Sequence, residues 1–525
     1  MFGNKLKLTV SALAMMMVAA APVSAQSLLR IDDSPIGELD PHKAVDDADS
    51  YLAYNVYDTL VIPNKGSGGV QPHLATEWTV EDNIVTFTLR DDVTFHSGNA
   101  LTAADVVYSF ERMTGMGRGF ANLFDNVTSA EAIDDTTVRF TLEGPSAPFL
   151  PALVRLPIVD SAVAQEHATD GDYASDWFSA NEAGSGAYEI VSHNPQEESE
   201  LTKNDDFFLD IPEAAPETVI LRYGIAPSTM RGLMQSGEHE IASPYSPPEM
   251  IRDLAEEDNI ELMTMSGGWA YHIKLNTLKA PLDDVNCRLA LTYAVDYDAL
   301  RSLTQINDEF AQGSPSNGPI PTGMLGHDDA PMYARDMDRA REYLDACEYD
   351  PATAPPIEIS WNSDVPIQER FSLLLQANFA ELGFQSELMR GSWAQLTGMM
   401  SNPETTPHMF QIWAAPLTPD PDSLLYPTYH SSQPRTFLSM EGFNTPELDA
   451  MLDESRVLLD EEEREAKFQE IGAYLRDNAP TIYAFEYQAV LSASDRVTAP
   501  TLTDDDQRYG LNTFNYSFRE IEIAE

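Results

Sequence analysis

The sequence predicts an α/β protein built from more than one lobe. Strand-like and helix-like segments alternate along the chain, with no repeat or low-complexity block between them. At 525 residues the chain exceeds a single ordinary core, and a domain size of roughly 150 residues gives about two to four lobes. Hydrophobic residues make up 43% and aromatics 9%, which is enough to fill folded domains.

The individual elements can be read in chain order. Lys5 and Lys7, the apolar run Leu8 to Ala21 and the small residues Val23-Ser24-Ala25 form an export signal, with cleavage expected before Gln26. The apolar run is shorter than the ~20 residues a spanning helix needs. No cysteine stands near the cleavage point, so a lipid anchor is not expected. The stretch Lys65 to Gly69 reads as a flexible loop, too degenerate for a phosphate cradle. Ile84 to Leu89 (IVTFTL) reads as a strand, and Ser97-Gly98-Asn99 as a turn after it. Thr102 with Asp105 marks a helix start, because both side chains can engage free backbone N–H groups there. Val106, Val107, Phe110 and Met113 give that helix one apolar face. A further helix is expected from about Pro366 through Leu382, closed by Gly383, with a strand over Phe384 to Met389. Thr445-Pro446-Glu447 opens another helix, with Leu448, Met451 and Leu452 as its buried stripe. Asp460 with Glu463 opens the next, which carries Phe468, Ile471, Tyr474 and Leu475 and ends at Pro480.

Charge narrows the function classes. The 85 acidic against 31 basic residues give a formal net charge of −54, which repels nucleic acid. The acidity reads as a solvated coat in preference to a device for a cationic ligand. The two cysteines, Cys287 and Cys347, leave a disulfide and two unpaired thiols equally open. Zinc, nucleophile-elbow and phosphate-loop motifs are absent, and His272, His408 and His430 have no ligand-like spacing. Among so many acids, neighbouring carboxylates carry no message about hydrolysis. Asn126-Val127-Thr128 matches a glycosylation sequon and is read as accidental.

Several separated blocks carry a family pattern. They are Leu39-Asp40-Pro41, Asn55 to Leu60, and Pro72 to Met113, with a tryptophan, a strand ending in Leu89-Arg90, Phe95, Gly98 and the Thr-x-x-Asp helix start. Gly184-Ser185-Gly186-Ala187-Tyr188, Leu275-Asn276-Thr277, Val285 to Asp296, Asp420-Pro421-Asp422, Phe443 to Asp449 and Asp477 to Ile482 follow in order. Together they resemble the bacterial extracellular solute-binding protein family 5, which includes oligopeptide-, dipeptide- and nickel-binding proteins. The resemblance covers essentially the whole chain after the export signal.

The resemblance implies a two-lobed periplasmic binding protein fold with a hinge and an extra subdomain inserted in the first lobe. The expected divisions are 1–25 signal peptide; 26–66, 184–272 and 486–525 lobe I; 67–183 inserted subdomain; and 273–485 lobe II. It further implies a periplasmic, monomeric protein that binds a small molecule between its lobes and delivers it to the permease subunits of an ABC importer. No reaction, cofactor or metal is expected. Trp269, Tyr271, Trp393, Trp413 and Asp420 fall where the family's ligand cleft is expected. Aromatic residues suit such a cleft by offering large, rigid, partly polar surface.

One departure bears on the ligand. Peptide-binding members carry an aspartate in a W-x-x-D-Y-x-[DE]-P arrangement that pairs with the peptide α-amino group. In the run from Trp413 to Asp422 that position falls on Leu417 or Pro416, depending on the alignment, and the acid is missing. A shift of the loop would be needed for Asp420 to stand in for it. A peptide or peptide-like amino compound is the first expectation. An oligosaccharide, an opine-like conjugate or a nickel chelate is the alternative, nickel being the weakest because no histidine falls at a cleft position. A receptor feeding a chemosensor and a secreted carboxylate-based hydrolase are the competing function classes.

Overall fold

The computed structural model describes residues 27–329, 332–363 and 365–524. The expected signal peptide lies outside the described residues.

The first lobe is organised by a sheet in the order Leu28–Asp33, Thr218–Tyr223, Glu198–Lys203 and Tyr188–Asn194. The first pair is parallel and the others antiparallel. Bridges from Ile31 to Ile241 and from Ile241 to Ala493 carry it on to the antiparallel pair Ile260–Met265 and Ala489–Ser494. Its core combines Leu29 and Ile31 from one end of the described chain with Tyr516, Phe518 and Ile521 from the other. The turn Gly184-Ser185-Gly186 presses on the end of helix Asp47–Val56. A Cβ on Gly184 would stand 1.9 Å from the Val56 carbonyl oxygen, and one on Gly186 2.5 Å from that of Asn55. Backbone-to-backbone packing therefore requires both glycines. Ser185 between them donates to Asp58 Oδ2 at 2.7 Å.

A second unit holds an antiparallel sheet in the order Ala75–Glu81, Ile84–Leu89, Thr137–Leu142 and Val127–Asp134. Val85, Phe87 and Leu89 alternate inward from one central strand, and Val138, Phe140 and Leu142 from the other. Helix Ala103–Met116 covers this face with Val106, Phe110 and Met113. Its start is fixed by Asp105 Oδ2, which accepts from the Thr102 amide at 2.8 Å and from the Thr102 hydroxyl at 2.9 Å. Arg112 on the same helix is fully buried and makes a bidentate pair with Asp40, both bonds 2.7 Å. The Leu39-Asp40-Pro41 block thus anchors this unit to the first lobe. The stretch Lys65 to Gly69 is held at its far end, where the Gly69 amide donates to the Pro419 carbonyl at 3.1 Å.

The second lobe has a six-stranded sheet in the order Gly313–Ser314, Thr481–Tyr487, Ala270–Leu275, Met409–Ala414, Ile357–Asn362 and Ser386–Gly391. Every residue of Ala270–Leu275 is buried, which requires cover on both faces of the sheet. Helices Val285–Ala294 and Ile367–Ala380 contribute Leu289, Leu291, Phe371, Leu375 and Phe379 to its main core. Within the block Val285 to Asp296 the helix ends at Ala294. Asp296 leaves the helix and caps Tyr297–Ser302 by accepting from the Ala299 amide at 2.9 Å. The strand expected over 384–389 starts two residues later, because Phe384 turns into the core directly after Gly383, whose φ is +91°. Cys287 and Cys347 form a disulfide that ties Val285–Ala294 to the end of helix Met337–Ala346.

Helices Asp422–Tyr429, Pro446–Val457 and Glu461–Asn478 pack on one another in a separate core through Leu425, Leu448, Leu452, Phe468, Ile471 and Leu475. Asp420, just before the first of them, is buried in a two-pronged ion pair with Arg464, whose Nη2 donates to Oδ1 at 2.9 Å. Arg464 Nε also donates to the Ser455 carbonyl at 2.8 Å.

Two stability outcomes are expected. Gly184→Ala forces the turn off helix Asp47–Val56 and should cost about 2–4 kcal/mol of unfolding free energy, measured by urea titration. Arg464→Met leaves Asp420 buried and unpaired and should cost about 3–5 kcal/mol in the same measurement, while solute affinity of the folded fraction stays unchanged.

Candidate functional site

The chain passes between the two lobes twice. Residues 266–269 join Ile260–Met265 of the first lobe to Ala270–Leu275 of the second, and Gln488 joins Thr481–Tyr487 back to Ala489–Ser494. The crossings are bonded to each other, since the Tyr487 amide donates to the Trp269 carbonyl at 2.9 Å. Gln488 then donates to the Gln312 carbonyl at 3.0 Å. Gly267 and Gly268 have φ of +148° and +81°, and a Cβ on Gly267 would stand 2.3 Å from the Asn512 amide nitrogen. That glycine pair lets the chain turn sharply enough to present Trp269 between the lobes.

A cavity of about 590 Å³ opens beside these crossings. Asp47, Tyr245 and the segment Ser246 to Glu249 wall it from the first lobe. Ile367, Arg370, Phe371, Trp413 and Phe485 wall it from the second, and Trp269 and Tyr487 lie at the junction. The two junction rings stack at 5.6 Å between centroids, and Trp413 meets Tyr487 edge-on at 5.7 Å. The result is a rigid aromatic floor with few rotatable bonds to immobilise. The indole N–H groups of Trp269 and Trp413 are both buried without a hydrogen-bond acceptor among the described residues. Each unsatisfied donor costs about 1–3 kcal/mol, which an acceptor brought by a solute offsets.

The charged groups of the cavity are Asp47, Glu249 and Arg370. Glu249, in helix Pro248–Leu254 of the first lobe, pairs with Arg370 of the second at 3.1 Å. Both side chains are more than half exposed, so the pair holds the rim weakly, at roughly 0–1 kcal/mol. A bond from its own backbone amide, with help from Arg370, keeps Glu249 below the ordinary glutamate range despite partial burial. Asp47 behaves in the opposite way. Burial lifts its carboxyl to about 6, Arg155 pulls it down and Asp46 pushes it up further. Its carboxylate makes no hydrogen bond or close ion pair with any described residue.

The residues singled out from the sequence separate into two groups. Trp269 lines the cavity at the junction and Trp413 lines it from the second lobe. Tyr271 lies one layer behind: it is fully buried, donates to Gln411 Oε1 at 3.0 Å, and stacks on Phe485 at 4.8 Å. Trp393 starts helix Trp393–Met400 at the protein surface, against Phe410 and Phe437, and does not line the cavity. Asp420 is outside the cavity as well, held by Arg464. Arg155 fixes the backbone beside it by donating to the Leu417 carbonyl, and its Nη1 donates to the Tyr54 hydroxyl at 2.8 Å. At one of the two positions expected for an amine-binding aspartate, Leu417, the backbone carbonyl is thus held by a guanidinium. Asp47, Tyr245, Arg370 and Tyr487 were not found from sequence. Tyr487 alone had a local signal, as the last residue of the buried strand run TIYAFEY before the chain changes lobe.

Comparisons place this geometry among known proteins. The chain is 27% identical over 497 residues to the "Probable D,D-dipeptide-binding periplasmic protein" of Escherichia coli, covering 91% of this chain and 92% of that one. It is 25% identical to heme-binding protein A of Haemophilus influenzae, over 81% of each chain. The solved structure of an ABC transporter-associated periplasmic binding protein from Helicobacter pylori, in complex with peptide STSA, superposes with a TM-score of 0.75 at 24% identity. That match covers 95% of this chain and 99% of the other and establishes the two-lobed fold. The family model for bacterial extracellular solute-binding proteins, family 5, matches residues 69–435. The chain belongs to the bacterial extracellular solute-binding proteins, family 5.

Proposed function

We propose that this protein is the periplasmic substrate-binding component of an ABC importer and captures a peptide or peptide-like small molecule by closing its lobes. The observation that carries this reading is the cavity of about 590 Å³, walled by both lobes at the point where the chain crosses between them. That volume suits a compact solute, within the ~300–1,000 Å³ typical of small-molecule sites. A solute that touches Tyr245 and Asp47 on one side and Trp413 and Phe371 on the other has more contacts in the closed state than in any open one. It therefore favours closure by the difference. Closure in turn sets the outer surfaces of both lobes in the arrangement that permease subunits recognise.

The peptide-like ligand rests on the peptide-named E. coli relative and on the composition of the cavity, with an aromatic floor between acidic and basic groups. The role requires no chemical step, and a single cleft serves it in a monomer. No helix among the described residues is long and apolar enough to cross a membrane.

A thermal-shift panel of di- to tetrapeptides, amino-acid conjugates, oligosaccharides and nickel chelates tests the reading. A solute at 100 times its dissociation constant adds about 2.7 kcal/mol of stability and raises the melting temperature visibly. Trp413→Ala should weaken that solute about 30-fold or more, as expected for a buried aromatic anchor worth ~2 kcal/mol. Shifts confined to oligosaccharides or chelates, or full affinity in Trp413→Ala, would overturn it.

A further inference from the structure

We propose that Asp47 receives a positively charged group of the captured solute, so that the cavity selects solutes carrying an ammonium or similar cation. The inference rests on the reading of this cavity as a solute site and names what the site recognises.

Three charged groups line the cavity, and two of them, Glu249 and Arg370, satisfy each other across the rim. Asp47 is the one left over. It sits on the first turn of helix Asp47–Val56, half-buried, with Trp269, Tyr245 and Tyr487 among the residues that share its cavity. Aromatic faces attract a cation and do nothing for an anion, so the rings and the carboxylate favour the same kind of solute group. No described residue makes an ion pair with Asp47, and the one cation that acts on it is Arg155. Arg155 acts on Asp47 only from a distance, because its guanidinium is committed to the Leu417 carbonyl and the Tyr54 hydroxyl.

The other titratable groups coupled to Asp47 are acids and phenols. Asp46 precedes it on the same segment, and Asp33 of the first-lobe sheet, Tyr51, Tyr54 and Tyr245 all feel its charge. None of them supplies positive charge. An ionised Asp47 is thus a poorly compensated charge in the solute-free protein, consistent with a carboxyl lifted to about 6 by burial. A bound cation supplies the missing charge and draws the carboxyl back to its ionised form. Complex formation near pH 6 then expels a proton from Asp47, and binding weakens as pH falls below that point.

The test uses the mature wild-type protein and Asp47→Asn. Solutes are offered in matched pairs: peptides of two to four residues and their N-acetylated forms, and non-peptide amines with their neutral amides. Affinities are measured by isothermal titration calorimetry at pH 5 to 8 in two buffers of different ionisation enthalpy. Wild type should prefer the free amine of a pair, release protons on binding near pH 6, and lose affinity by up to about tenfold per pH unit below it. Asp47→Asn should bind the amine at least about tenfold more weakly at pH 7.5 and show neither the preference nor the pH dependence. Its solute-free melting temperature should equal or exceed that of wild type, because an uncompensated buried charge is gone.

If peptides bind and Trp413→Ala weakens them while Asp47→Asn changes neither affinity nor amine preference, the inference falls and the solute-binding reading stands. If no peptide binds but a non-peptide amine does so through Asp47, the peptide reading falls and the inference stands. Binding of the neutral member of each pair as tightly as the charged one overturns the inference directly.

Discussion

The hydrogen bond from the Tyr487 amide to the Trp269 carbonyl, 2.9 Å long, joins the two strands of chain that pass between the lobes. The other features of the site depend on it. It fixes the two crossings side by side, so that the proposed closure would be a rotation about one short segment. It also sets the Trp269 and Tyr487 rings in their stacked pair, at the meeting point of both cavity walls. On the proposed reading, hinge and binding floor are built from the same residues. Gly267 and Gly268 make this possible, because a side chain at Gly267 would collide with the Asn512 backbone.

Electrostatics in the protein separate acids by what surrounds them more than by how deeply they are buried. Asp40 and Asp420 are both deeply buried, yet each faces a two-pronged guanidinium, from Arg112 and Arg464 respectively. Such pairs organise structure, and breaking one is costly because the partner charge is left behind. Asp47 is less buried but has no such partner, and its carboxyl is raised where that of Asp40 is lowered. The same contrast explains why Asp420 is a poor candidate for solute contact. Its two oxygens are already committed, and the adjoining Leu417 carbonyl is held by Arg155.

Much of the architecture was legible locally. The strand Ile84–Leu89, the Thr102–Asp105 helix start and the helix beginning at Pro446 follow from short-range alternation, capping and proline placement, and the structure has them at those residues. The glycines of the Gly184-Ser185-Gly186 turn were visible as a pattern, and their reason, contact with the Val56 and Asn55 carbonyls, became clear only in three dimensions. The lining of the cavity was half legible. Trp413 belongs to a strand of the sheet, where it pairs with Tyr271, Trp269 stands just before the neighbouring strand Ala270–Leu275, and aromatic character pointed to both. Trp393 had the same aromatic appearance and Asp420 lay in the next family block, but packing against Phe410 and pairing with Arg464 place them outside the cavity. Asp47 and Arg370 were invisible because their significance comes from facing each other's lobe across more than 300 residues of chain, and no local rule encodes that.

The central claim is that the lobes close on a solute about the paired crossings. Spin labels at Gln235→Cys in the first lobe and Leu373→Cys in the second, both exposed positions, report the distance between lobes while the Cys287–Cys347 disulfide stays intact. The distance distribution, measured by pulsed electron paramagnetic resonance with and without the solute that most raises the melting temperature, is the direct test. The account predicts a broad, longer distribution in the free protein that becomes shorter and narrow on binding. A solute that binds tightly and leaves the distribution unchanged would contradict it.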